Sequence, residues 1–425
     1  MNSALVLSRR IAALIAVIAL ASAPWSPRIS VVSSALAQEQ KSSGNTVRPE
    51  IGKPVQAAID LLKSKRGKEA LARIRETENV ADKTPYEAYV VEQVRGQAAA
   101  AAGEPATAAR AFEAAAASSA APARERTQFL AAAAVQHYVA KEYAKTAEVA
   151  ARYFKEGGAD KAIRTTYVQA LYLNNDFSRA ASEALADVKS EEAAGRTPTE
   201  MQLQLLADSY QKQRDGANYA VALEKLIAYY PKRDYWLNAV YGVAGRGGFS
   251  ERLSLDLARL KLATGTMRTA TEYMEAAQLS LQAGFPAEAN KIVEQGYAAG
   301  LLGAGSDADR HKRLRDMAVK NLAEDKKTLG QDDAQAAAAK DGTALLNAGF
   351  NHVLNRNTDK GLGMMEQAIR KAGFKHVDDA RLRLAYAYHL AGQNQKAVQL
   401  FKTVQGADGG AALARLWAIH LGRTP

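Results

Sequence analysis

Residues 88–117 read AYVVEQVRGQAAAAAGEPATAARAFEAAAA. One helical stretch carries Gly96, the turn Gly103-Glu104-Pro105 breaks it, and a second stretch carries Ala108, Phe112 and Ala115. Glycine followed by proline stops one helix and starts the next. The spacing i, i+4, i+7 puts Ala108, Phe112 and Ala115 on one face. The layout returns around Tyr143, Phe177, Tyr219, Gly284, Gly361 and Gly392, at a period near 34 residues. A helix–turn–helix of that period cannot bury its apolar face alone. Stacking on neighbours solves the problem, so the pattern predicts a solenoid.

The second helices align on a small–large–small triplet. The series is Ala70/Ile74/Thr77, Ala108/Phe112/Ala115, Thr146/Ala150/Tyr153, Ala180/Ala184/Asp187 and Ala222/Leu226/Tyr229. It continues as Ala289/Val293/Gly296, Gly361/Met365/Ala368 and Ala397/Phe401/Val404. The small residue belongs where helices cross closely, and the large one fills the gap to the next unit. No alternating Val/Ile/Thr-rich run reads as a strand.

This series resembles the tetratricopeptide repeat family. Gly96, Gly103, Ala108, Phe112 and Ala115 match its pattern in one unit, and Gly392, Ala397 and Phe401 in another. Lys141 and Asn175 stand where the turn glycine belongs. The resemblance implies an all-α fold: a right-handed helical solenoid of about nine helix-turn-helix units. It also implies a concave groove lined by the first helices. On the triplet alignment one inward column is Gln97, Val135, Gln169, Gln211, Gln278, Phe350 and Tyr386, with Tyr138 and Tyr172 one turn further on. Amide side chains can pair with the backbone of an extended peptide, and tyrosines add amphipathic contact area. The expected groove set is Gln97, Tyr138, Gln169, Tyr172, Gln211 and Gln278. The alternative is a solvated polar face. The Lys/Asn carboxylate clamp of chaperone-binding repeats is missing, with Ala131, Thr165 and Met274 in its place.

The N-terminus reads as a secretory signal over residues 1–37. Arg9-Arg10 form the basic region, and Ile11–Ala23 is an apolar run of 13 residues, short for a bilayer span. Ala35-Leu36-Ala37 offers an A-x-A cleavage site, so the mature chain is expected to start at Gln38. Retention as an anchor is the alternative. Residues 38–50 are polar and expected to be disordered. A repeat array follows over 51–303, a charged helical connector over 304–341, and further repeats with a capping helix over 342–425. The expected location is periplasmic.

The net charge is +11, and the signal's Arg9, Arg10 and Arg28 leave +8 on the mature chain. No basic stripe has interleaved aromatics, so nucleic acid is not an expected partner. The densest basic cluster is Arg310-His311-Lys312-Arg313 with Arg315. It reads either as a solvated helix face or as a patch for acidic partners or lipid headgroups, the only peripheral membrane contact expected. Leu314, Met317, Ala318 and Leu322 share one face of that helix, and Ser306 is its expected cap.

The chain has no cysteine, which excludes disulfides, thiol chemistry and a lipoprotein anchor. Catalytic signatures are missing: no His-Glu-x-x-His, no Gly-x-Ser-x-Gly, no phosphate loop. The Gly245-Arg246-Gly247-Gly248 run has no preceding strand and reads as a turn. His137, His352 and His389 recur at one place in their first helices, which reads as structural. Asp378 or Asp379 is expected to cap a helix. No catalytic residue, cofactor or metal is expected, and the reading is a non-enzymatic scaffold.

A narrower resemblance lies in Tyr230-Pro231-Lys232-Arg233-Asp234-Tyr235-Trp236-Leu237, in residues 273–300 (YMEAAQLSLQAGFPAEANKIVEQGYAAG) and in Arg415-Leu416-Trp417. These are similar to periplasmic repeat proteins associated with TonB–ExbB–ExbD systems. The resemblance implies an envelope protein as partner. The rival reading is a glycan-binding or polysaccharide-processing accessory, for which only Trp236 and Trp417 remain after the signal.

Overall fold

The computed structural model describes residues 46–245 and 247–422. The expected signal, its cleavage site and residues 38–45 lie outside them. The described chain is all-helical. It divides into two compact units, with the boundary between Tyr219 and Ala220.

The N-terminal unit is a run of helix pairs: α1 (Pro49–Lys63) with α2 (Gly67–Arg75), α3 (Pro85–Ala102) with α4 (Pro105–Ala117), and α5 (Ala123–Val139) with α6 (Tyr143–Lys155). Then come α7 (Lys161–Leu173) with α8 (Phe177–Ala193), and α9 (Glu200–Lys212) with α10 (Gly216–Tyr229), which runs over the boundary. The second helices begin at residues 67, 105, 143, 177 and 216, so repeats run 38, 38, 34 and 39 residues. The period is wider than 34 because the links between pairs vary in length. α1 begins at Pro49, inside the segment expected to be disordered. Arg48 ties it down, giving its backbone N–H and its guanidinium to Glu87 on α3 at 2.9 Å. The Arg48 guanidinium holds the buried Glu87 carboxyl down at about 2.

One turn design closes most pairs. A residue with positive φ ends the first helix, and the N–H after it returns to a carbonyl five residues back. Glu104 reaches Ala99 at 2.8 Å, Glu142 reaches His137 at 2.9 Å, and Asp176 reaches Leu171 at 2.9 Å. Glycine serves at Gly103, but Lys141, Asn175 and Arg214 take the same left-handed geometry at φ 62°, 60° and 59°. The departures from the glycine pattern therefore change the residue and not the turn.

The triplets face inward. Ala70, Ala108, Thr146, Ala180, Ala289 and Ala397 are fully buried, as are Ile74, Ala150, Val293 and Met365. A Cβ on Gly96 would lie 2.5 Å from the Phe112 ring, so ring and glycine define one close helix crossing. Asp187 and Tyr229 break the triplet rule. Asp187 instead binds Arg164 at 2.8 Å, and Tyr229 is 38% exposed.

The C-terminal unit continues with α11 (Arg233–Ala244) and α12 (Ser254–Ala263), then α13 (Ala270–Gln282) and α14 (Pro286–Ala298). The connector holds α15 (Ala308–Thr328) and the short α16 (Asp333–Ala338). Two more pairs follow: α17 (Thr343–Leu354) with α18 (Thr358–Lys371), and α19 (Val377–Leu390) with α20 (Asn394–Phe401), before the final α21 (Gly410–Leu421). Nine helix pairs are thus present among the described residues, a tetratricopeptide-like solenoid arrangement.

This second unit closes on itself. α21 packs on α11, α12, α19 and α20. Arg252 binds Asp379 at 2.7 Å and also Asp408. Ser250 donates its N–H to the Asp408 carbonyl at 2.9 Å, and Arg415 binds Glu224 at 2.9 Å. Asp379 therefore serves as a latch partner rather than a cap. Asp378 accepts from the Gln405 N–H at 3.0 Å and from Arg381 at 2.9 Å. Asp307, not Ser306, precedes α15, with no side-chain cap bond. On α15 the buried stripe is His311, Leu314 and Ala318, whereas Met317 is 53% exposed.

Candidate docking surface

Counting back from the left-handed turn residue fixes the register of each first helix. Gln97, Val135, Gln169, Gln278, Phe350 and Tyr386 then occupy equivalent places, as expected. Gln211 does not. The turn residue of its unit is Arg214, which puts Asp208 in the column and Gln211 one turn on, level with Tyr138 and Tyr172. The triplet Ala222/Leu226/Tyr229 had set that unit three residues late. Its exposed Tyr229 is the sign of the slip.

In the N-terminal unit the two columns bond to each other across repeats. The Tyr138 hydroxyl donates to Gln169 Oε1 at 3.1 Å. The Tyr172 hydroxyl donates to Asp208 Oδ2. Each tyrosine belongs to one repeat and each acceptor to the next. Gln169 is 1% exposed and also gives its amide to Met201 Sδ at 3.1 Å. It is thus spent inside the stack and presents nothing to a groove. Burial pushes the Tyr138 hydroxyl up to about 12, with Tyr143 adding to the effect. Burial pushes Tyr219 up to about 12 as well, with the Asp208 charge reinforcing it. Each groove tyrosine also meets an aromatic five residues on, edge to face: Tyr143 at 5.7 Å and Phe177 at 5.4 Å. Rings locked on both sides keep a fixed position. Gln97, Tyr138, Tyr172 and Gln211 are left half-buried, a semi-exposed polar and aromatic strip over the first helices.

The C-terminal unit treats its column differently. Gln278 is exposed, but Phe350 is fully buried. Phe350 and Tyr386 pack on Arg259, whose guanidinium carbon sits 5.0 and 5.1 Å from their ring centres. Arg259 is 2% exposed. It forks onto Glu288 at 2.8 and 2.7 Å and reaches Asp256 at 2.8 Å. Burial works against its charge, but Glu288 and Asp256 outweigh burial and keep it protonated. A guanidinium forked onto a carboxylate and covered by rings suits arginine's planar geometry. Here the inner positions fill the unit's own core.

His137, His352 and His389 sit where first helices end. His137 is 2% exposed, with Nε2 2.6 Å from Glu113 and Nδ1 2.6 Å from Glu142. Burial lowers its affinity for a proton, yet the two carboxylates prevail and the pKa is raised. His352, 2% exposed, contacts Asp333 at 2.9 Å, and Lys360 binds the same carboxylate at 2.6 Å. His389 bonds Asn394 at 3.0 Å. In each case the partner five residues on starts the second helix: Glu142, Asn357 and Asn394. That spacing was present in the sequence and is the reason for the recurrence. Among the described residues no group of three or more His, Asp or Glu is placed to hold a metal ion. No described helix is long and apolar enough to cross a membrane. Trp236 and Trp417 are 4% and 2% exposed, so neither offers a flat face to a sugar ring.

The basic cluster of α15 is partly neutralised. Lys312 pairs with Asp316 at 2.9 Å, and Arg315 forks onto Glu294 of α14 at 2.7 and 2.8 Å. Arg310 and Arg313 are exposed with no ion-pair partner among the described residues.

No family model matches the chain, and no curated protein matches it. Among solved structures it is similar to a chain of the structure of Naa15/Naa10 bound to HypK-THB, at 14% identity and a TM-score of 0.29. The match covers 84% of this chain and 58% of that one.

Proposed function

We propose that this chain is an exported, non-enzymatic docking scaffold that holds a protein of the cell envelope along the first-helix strip of its N-terminal unit. The supporting observation is the inter-repeat ladder of Tyr138 to Gln169 and Tyr172 to Asp208. It fixes tyrosine rings at repeat spacing and leaves Gln97 and Gln211 half-open beside them. A rigid strip of aromatic edges and amides suits an extended peptide, because ordering it on binding costs little extra entropy. Export rests on Arg9-Arg10, the Ile11–Ala23 run and Ala35-Leu36-Ala37. The more specific role, accessory to a TonB-type energy-transduction complex, rests on the similarity of residues 230–237, 273–300 and 415–417.

The test is photo-crosslinking in cells from Gln97, Tyr172 and Gln211, with exposed Arg110 on α4 as control. Cell fractionation and N-terminal sequencing accompany it. The expected result is a mature N-terminus at Gln38, a periplasmic pool, and a TonB-system component captured from the strip and not from Arg110. Cytoplasmic retention of the whole chain would refute export. A strip that captures nothing the control does not would refute docking there.

A further inference from the structure

The end of the connector is held to the C-terminal unit by polar ties and almost no apolar surface. Of residues 331–340 only Ala336 is buried, and one alanine methyl shielded from water stabilises little. The neighbouring α17, by contrast, buries Leu345, Leu346, Gly349, Phe350, His352 and Val353. α16 packs on α17. Asp333 takes His352 Nε2 at 2.9 Å and Lys360 Nζ at 2.6 Å. The Asn357 amide nitrogen lies 3.4 Å from His352 Nδ1. That nitrogen can only donate, so Nδ1 accepts and Nε2 carries the hydrogen that Asp333 receives. At the end of α18, Lys371 Nζ donates to the Ala337 carbonyl at 2.6 Å. Gly330, at φ 88°, folds the chain over this cluster. A Cβ there would lie 3.3 Å from Asp333, 3.5 Å from His352 and 3.6 Å from Lys360. The chain is pinned on both sides of the segment. Before it, Asn355 of α17 donates to Asp325 at 3.0 Å. After it, Asp341 accepts the Thr343 N–H at 2.7 Å, and the Gly342 N–H donates to the Ala372 carbonyl at 2.9 Å.

We propose that residues 330–340 are a releasable strap, which lifts from α17 and α18 as one piece while its pinned ends and the helices beneath stay folded. Segments with few buried apolar groups open at lower free energy than the core around them. Asp333, Lys371 and the Ala336 methyl are what hold this one down. Water replaces the lost hydrogen bonds on opening, so their net cost is modest. Lifting bares His352, which is 2% exposed with the strap down. It also releases the donors of His352, Lys360 and Lys371, which the closed strap spends on Asp333 and Ala337. The ties are coupled, because both lie on one short helix: loosening either should loosen the other.

The experiment uses the mature chain, residues 38–425, and two readouts. Hydrogen exchange read by mass spectrometry follows the strap through a peptide spanning 331–340. Acylation of imidazoles by diethyl pyrocarbonate follows the uncovering of His352, with buried His137 of the N-terminal unit as control. The strap amides of Ala336 to Ala338 are expected to exchange at least about tenfold faster than those of mid-α17 and mid-α18. Lys371→Met cuts the tie that does not touch His352. It is expected to speed both strap exchange and His352 acylation about tenfold, the worth of one hydrogen bond to a charged group. Protection of α17 and α18 and the His137 rate should stay as in wild type, which also establishes that the variant folds. Asp333→Asn is expected to speed strap exchange likewise. The proposal fails if the strap amides are as protected as those of α17, or if Lys371→Met changes neither readout. It fails equally if that variant speeds strap exchange while His352 reacts as before, since the ties would then be independent. Loss of α17 protection together with the strap would make the segment part of the solenoid and overturn it too.

Discussion

Lys141 holds φ at 62°, a conformation that costs an L-residue about 1–2 kcal/mol and glycine almost nothing. Its side chain is exposed, so little packing is lost on removal. Lys141→Gly is therefore expected to stabilise the N-terminal unit by about 1 kcal/mol, measured as a higher urea midpoint at unchanged slope. An unchanged or lower midpoint would show that the lysine earns its place by other contacts. His137 gives a second residue-level test. Its pKa is raised by Glu113 and Glu142 in spite of burial, so the folded state binds a proton that the unfolded chain releases more readily. The resulting stability is fully present below the unfolded histidine value and fades as pH climbs through the higher folded value. The stability difference between wild type and His137→Gln is expected to be greatest near pH 6 and to shrink steadily toward pH 9. A difference that grows with pH would contradict the imidazolium clamp. Both features were half legible in the sequence: Lys141 stood out as a missing glycine, and His137 as a recurrent position. The Glu113 carboxylate was not legible, because it lies 24 residues away on α4, in the preceding pair.

At the scale of elements, the pairs follow from local signals. Pro at the first helical turn, small residues at crossings and a left-handed turn residue each act within a few positions, so the nine pairs could be counted along the chain. Register within a pair is less secure. The triplet Ala222/Leu226/Tyr229 misplaced Gln211 by one helical turn, because alanine is so common here that a small residue recurs on more than one face. The turn residue Arg214 gives the better anchor, since backbone geometry fixes it. Elements are also joined by polar cores that no periodicity reveals. Removing the Arg259 side chain would strand Glu288 and Asp256 without their cation in a dry site, and breaking such a buried pair costs about 3–5 kcal/mol. Arg259→Ala is expected to melt the C-terminal unit well below wild type. Arg259→Lys should recover little, because a point charge cannot fork onto Glu288 while packing on Phe350 and Tyr386. Full recovery by lysine would show that charge alone suffices.

For the whole molecule, the question is how far a local loss spreads. Repeat arrays transmit stability between neighbours only. Deleting α21 removes Trp417, which stacks on Phe401 and packs against Tyr386, and also the Arg415 bond to Glu224. The amides of α11 and α12 are expected to lose hydrogen-exchange protection, while those of α1 to α8 keep theirs. Deprotection throughout the chain would mean a single cooperative unit, and none in α11 would mean that the closure contributes nothing.

The sequence by itself determined the all-helical class, the helix pairs, their approximate number and the buried face of each, because these depend on residues within a turn or two of one another. It also pointed to Gln97, Tyr138 and Tyr172, which remain half-open. Only the tertiary structure decided that Gln169 is consumed by Tyr138 of the preceding repeat, and that Phe350 and Tyr386 pack on Arg259. It alone decided that the C-terminal unit closes through Arg252, Asp379 and Asp408, partners 127 and 156 residues apart. A repeating pattern specifies how each pair meets the next. The point at which a run of pairs returns to meet itself depends on small angles summed over every interface, and no single stretch of sequence carries that sum.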